Sequence, residues 1–80
     1  MPIPLYGFLE GDTIGLLILA EENETIDALA AKLQEAASLR VAPSKNVSLL
    51  YGKNSLEPTM TVGQAGMKPL ERFDVVRRTG

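Results

Sequence analysis

Four acids crowd one short stretch, Glu21, Glu22, Glu24 and Asp27, and their types and spacing come closest to a group that could do chemistry. Carboxylate oxygens suit a hard cation such as calcium or magnesium. A helix-flanked calcium loop needs alternating acids, a central glycine and a distal glutamate, and that spacing is missing here. The plainer reading is a solvated loop whose acids favour the N-terminus of a following helix. Elsewhere the chain lacks the side chains that most catalysis needs, with no histidine and no cysteine. The usual nucleophile–base pairs of acyl transfer and the usual zinc sets are therefore excluded.

Weaker motifs fail on their own terms. Gly52-Lys53 would belong to a phosphate-binding loop only with a glycine five positions before the pair and a hydroxyl residue after it, where Val47 and Asn54 stand. Asn23-Glu24-Thr25 and Asn46-Val47-Ser48 match the N-glycosylation pattern, but helix capping and a turn into a strand account for them. Residues 1–35 hold seven acids against one base and residues 36–80 seven bases against three acids, a polarity that leaves a net charge of −2. No basic run is dense enough, or interleaved with aromatics, to make a nucleic-acid surface. The longest apolar stretch, Ile14 to Ala20, is far short of the ~20 residues of a membrane span. No leader-like segment opens the sequence, and cysteine is absent, so a cytoplasmic location is expected.

Eighty residues make one domain, 1–80, and a small one. Its elements follow from periodicity. Two apolar runs, Pro2 to Leu9 and Ile14 to Ala20, flank Glu10-Gly11-Asp12-Thr13 and read as a β-hairpin. Thr25 is a good N-cap for a helix whose apolar stripe is Ile26, Leu29, Ala30, Leu33 and Ala37, with Lys32, Gln34 and Glu35 off the stripe. Pro43 ends any helical continuation. Val47–Tyr51 is a third strand and Leu56 opens a very short fourth, cut by Pro58. Thr61 to Gly66 forms one capped helical turn, and Arg72–Arg77 a last strand. The expected class is α+β, with a sheet of four to five strands packed on one helix.

This order and its spacings resemble the ubiquitin-like β-grasp fold. Thr25-Ile26-Asp27, Ala31-Lys32-Leu33-Gln34, Leu49 through Leu56 and Thr61-Val62 carry the resemblance over nearly the whole chain. It implies that the first strand pairs centrally with the last. Ile3, Leu5, Ile14, Leu16, Ile18, Leu49, Phe73 and Val75 then face the helix. A narrower pattern lies in Gly7-Phe8-Leu9-Glu10-Gly11-Asp12, Arg40-Val41-Ala42-Pro43, Thr61-Val62 through Ala65-Gly66, Pro69 and Phe73-Asp74-Val75-Val76. These residues are similar to the small gamma (B) subunits of toluene 4-monooxygenase and related bacterial aromatic and alkene monooxygenases. The resemblance implies a non-catalytic subunit bound to a large hydroxylase subunit that carries a diiron centre. The absence of histidine agrees, since a carboxylate-bridged diiron site needs imidazole beside its glutamates, so no cofactor or metal is expected on this chain.

Both alternation phases of the hairpin are apolar, although a sheet backed by one helix needs only one. The surplus phase places Pro4, Tyr6, Phe8, Leu17, Leu19, Leu50 and Val76 on the outer face, with Tyr6 and Phe8 at the centre of the expected partner surface. Self-association of the isolated chain through that face is a competing use. A ubiquitin-like modifier or sulfur carrier is the alternative role, acting through Arg77-Arg78-Thr79-Gly80. Its tail has branched Thr79 where the carriers have glycine. A stand-alone protein-interaction module is the third reading.

Overall fold

The computed structural model describes residues 2–78; Thr79 and Gly80, the residues on which the modifier reading turns, lie outside them. Strands β1 (Ile3–Leu9) and β2 (Gly15–Ala20) form the antiparallel hairpin. Helix α1 (Ile26–Ala36) follows, then β3 (Val47–Tyr51), β4 (Asn54–Ser55), the single turn α2 (Val62–Ala65) and β5 (Arg72–Arg77). The sheet order is β2-β1-β5-β3-β4, with β1 and β5 parallel at its centre. Among the described residues no helix is long and apolar enough to cross a membrane.

One alternation phase of every long strand goes under α1. Leu5, Ile18, Ala20, Leu49, Phe73 and Val75 meet Ile26, Leu29, Leu33 and Ala37 of the helical segment in a single core. Gly7 allows the close approach at its middle. A β-carbon there would stand 2.7 Å from Phe73 Cζ and 3.0 Å from Leu33 Cδ1, so any side chain would force the Phe73 ring and the Leu33 side chain to shift.

The two helices solve their N-terminal hydrogen bonding together. Thr25 and Thr61 are the N-caps, accepting from Ala28 N–H and Gln64 N–H at 3.1 Å each. Gln64 Oε1 accepts from Thr61 N–H, completing a capping box. The caps lie side by side in an isolated bridge. Ile26 N–H donates to Met60 O at 2.7 Å and Val62 N–H to Glu24 O at 2.8 Å, so amides left without intrahelical partners find carbonyls ahead of the other helix.

Three local expectations are corrected. Ile14 does not face the helix: β2 begins at Gly15, paired with Phe8, and Ile14 stays in the turn, 48% exposed. That turn is shaped by Asp12, whose carboxylate accepts from Thr13 N–H while bound to Arg40. The fourth strand is Asn54–Ser55 rather than a strand from Leu56, because Gly52-Lys53 alone makes the turn; Leu56 follows it and packs half-buried on the core. Gln34 is buried although it lies off the apolar stripe. Its amide donates to Ser44 O at 2.9 Å and accepts from Ser44 N–H at 2.6 Å, satisfying both of its polar ends.

Candidate docking face

Within the acidic stretch, Glu24 is spent on structure. Glu24 pairs with Lys32 at 2.9 Å and accepts from Glu21 N–H, while Lys32 Nζ also donates to Leu19 O at 2.7 Å. Among the described residues no group of three or more metal-ligating side chains gathers.

Outward from the sheet, the second alternation phase builds the face that carries no helix. Register sets its rows: Pro4 beside Leu19, Tyr6 beside Leu17, and Phe8 beside Gly15 across β1 and β2. Leu17 and Leu19 are each 56% exposed and Tyr6 43%, large apolar side chains from two neighbouring strands. Phe8 is half-buried because its ring lies over Gly15, where a β-carbon would stand 2.5 Å from Phe8 Cζ. An aromatic ring thus covers backbone that glycine leaves bare.

Toward β5 the surface changes character. Tyr6 pairs with Arg72 and Phe8 with Asp74, and Asp74 pairs in turn with Leu50 of β3. The Arg72 guanidinium stands 4.0 Å from the Phe8 ring centroid and is ion-paired with Asp74 at 2.8 Å. The Asp74 hydrogen bond is the main cause that raises the Arg72 pKa above its ordinary value. The structure therefore gathers Pro4, Tyr6, Phe8, Leu17 and Leu19 into one group, and sets Leu50 and Val76, both half-buried, beyond the Arg72–Asp74 pair. Sequence reasoning missed that pair. The signal was present, since Arg72 and Asp74 alternate in the same phase as Val76.

Two further polar links tie turns and loops to the rest of the fold. Arg40 grips Asp12 through two nitrogens at 3.0–3.1 Å, tying the hairpin turn to the segment after α1. This guanidinium holds the Asp12 carboxyl below the usual carboxylate range. The Tyr51 hydroxyl donates to Glu71, which also accepts from Lys68 N–H at 2.8 Å. Those two donors, the hydroxyl first, lower the Glu71 pKa, and the Tyr51 phenol is raised by the same carboxylate. These shifts accompany contacts that anchor turns and loops.

Among the described residues, a mixed sheet with parallel central strands, α1 across one face and no helix on the other defines a ubiquitin-like β-grasp protein. Within that class, the chain belongs to the toluene-4-monooxygenase system protein B (TmoB) family, whose pattern it matches over residues 2–76. Three solved structures show the shared fold. A chain of the toluene 4-monooxygenase HD complex with the inhibitor 4-bromobenzoate superposes with a TM-score of 0.89 at 24% identity, covering 98% of this chain and 100% of that one. A Caldiarchaeum subterraneum ubiquitin gives 0.82 at 20% identity, over 100% of this chain and 98% of that one. The ubiquitin-like domain of Plasmodium falciparum Dsk2 gives 0.81 at 15%, over 98% and 100%. Comparison with curated protein sequences gives no match. Membership makes this chain a small accessory subunit of the toluene-monooxygenase type, and the modifier or sulfur-carrier alternative is not favoured.

Proposed function

We propose that this chain is the non-catalytic small subunit of a bacterial multicomponent diiron monooxygenase, acting on aromatic or alkene substrates in the cytoplasm, and that it attaches to the large hydroxylase subunit through its outer sheet face. The observation that carries this reading is the group formed by Tyr6, Leu17 and Leu19, all well exposed, around a Phe8 ring pinned between Gly15 and Arg72. A monomer rarely leaves a contiguous apolar patch of more than a few hundred Å² open to water. Removal of about 300 Å² of apolar area there would supply about 7 kcal/mol before the entropic cost of association. The diiron centre belongs to the partner: this chain has no histidine to complete such a site.

Arg72 adds directionality to that attachment. Its guanidinium stacks on Phe8 and bonds Asp74, so it presents a fixed, planar donor at the edge of the apolar group. Aromatic and arginine side chains so placed are common energetic centres of interfaces. The test is co-expression with the large hydroxylase subunit. Wild-type chain should co-purify in stoichiometric amount, and Phe8→Asp should be released while remaining folded. Full assembly of a folded Phe8→Asp variant would contradict the outer-face attachment.

A further inference from the structure

The free edge of the sheet at β2 has a backbone pattern that the outer face alone does not explain. On β1, Tyr6 N–H donates to Glu71 O at 2.9 Å and Pro4 O accepts from Leu70 N–H, so the even-numbered residues of β1 turn their backbone groups toward β5. The odd ones, Ile3, Leu5 and Gly7, therefore serve β2, where their register partners are Ala20, Ile18 and Leu16. Gly15, Leu17 and Leu19 are left with N–H and C=O groups pointing away from the sheet. The direction is corroborated at Leu19, whose carbonyl accepts from Lys32 Nζ of the helix at 2.7 Å.

That lysine closes one end of the edge. Lys32 also pairs with Glu24, which accepts from Glu21 N–H, so the rim from Leu19 O to Glu21 N–H is satisfied within the chain. Among the described residues nothing reaches the backbone N–H or C=O of Leu17. Proteins usually protect such edges with charge, proline, a bulge or brevity. The opposite edge, β4, follows that practice with two polar residues, Asn54 and Ser55. β2 does not: Gly15-Leu16-Leu17-Ile18-Leu19-Ala20 has no charge and no proline.

We infer that β2 is a strand-addition edge, and that an extended segment of the large hydroxylase subunit pairs with Gly15–Leu19 as a sixth strand. The inference rests on the attachment proposed above and specifies its chemistry. The added segment supplies backbone donors and acceptors to Leu17 and carries apolar side chains at alternate positions, which extend the row of Leu17 and Leu19 on the outer face. Beyond Ala20 it runs toward exposed Glu22 in the acidic stretch, which favours a lysine or arginine at that end of the segment. A second copy of this chain brings the same uncharged edge and the same acids, so like charge disfavours self-pairing.

Residue-resolved amide hydrogen exchange on the wild-type chain, free and assembled with the large hydroxylase subunit, tests the inference. In the free chain the Leu17 amide should exchange fast and the Leu16 and Ile18 amides slowly. In the assembly the Leu17 amide should slow at least ten-fold. An unchanged Leu17 amide in a fully assembled complex would overturn strand addition while leaving outer-face docking intact. Slowing in the free chain that grows with its concentration would also overturn it, by showing a second copy on the edge. In a binding assay, Leu17→Pro, which deletes the N–H, should weaken assembly at least ten-fold more than Leu17→Ala, which keeps it; equal affinities of the two folded variants would count against the inference. Should Leu17→Pro fail to fold, the exchange measurement decides alone. Full assembly of Phe8→Asp with a slowed Leu17 amide would instead remove the outer face and leave the edge as the attachment.

Discussion

The Arg72 guanidinium carbon lies 4.0 Å from the centroid of the Phe8 ring, and the same ring covers Gly15. Phe8 is thus held by residues of both neighbouring strands before any partner arrives. Arg72→Ala should leave the urea midpoint nearly unchanged, because the side chain is exposed and its ion pair with Asp74 is solvated. It should shift the Phe8 ring resonances and weaken binding to the large subunit by less than Phe8→Asp does. Unaltered ring resonances would contradict the stacking.

Gly7 should be intolerant of even one methyl group. Its β-carbon position is 2.7 Å from Phe73 Cζ inside a closed core, and an aromatic ring there cannot swing aside. Gly7→Ala should cost about 1–3 kcal/mol in urea unfolding. Phe73→Leu in the same chain should recover part of that loss, since the two residues are register partners and their effects couple.

The paired helix caps should also couple. Thr61→Ala and Thr25→Ala should each destabilise by about 1 kcal/mol. Their bridge and reciprocal amide bonds mean that loosening one cap loosens the other. The double variant should therefore lose less than the sum of the single losses. Strict additivity in equilibrium unfolding would show that the two N-termini are independent.

Asp12 should give the chain part of its acid sensitivity. Its pKa is depressed in the folded state, chiefly by the Arg40 hydrogen bond, so its stabilisation is complete above the ordinary aspartate value of ~3.9 and is lost as pH falls through the lower folded value. Asp12→Asn should be less stable than wild type at pH 7, and the gap should narrow below about pH 4. A gap independent of pH would exclude this linkage.

Glu71 follows the same sign with a different donor. In Tyr51→Phe the hydroxyl that chiefly lowers its pKa is gone, while the Lys68 amide remains. Carboxyl titration by NMR should show the Glu71 midpoint rising part of the way to the ordinary glutamate range.

Much of the molecule was legible because its signals are local. Thr25 and Thr61 announce helix starts, and alternation in Ile3–Leu9 and Gly15–Ala20 separates the Leu5 and Ile18 phase from the Tyr6 and Leu17 phase. What escaped depends on contacts distant in sequence. Gln34 is buried by its bonds to Ser44, and Ile14 is left outside the ladder by a turn that Arg40 anchors from across the fold. The division of the outer face by Arg72 and Asp74 needed the register of β5 between β1 and β3. Periodicity shows which face a residue takes, but strand order shows what stands beside it.

The most direct test of the docking face is the affinity of the isolated chain for the large hydroxylase subunit, measured by titration for wild type and for Phe8→Asp, each shown to be folded by circular dichroism. A charge placed between Gly15 and Arg72 disrupts the apolar group at its pinned residue, and the Kd should rise at least a hundred-fold, or about 2.7 kcal/mol. Equal affinities for the two folded chains would contradict attachment through this face.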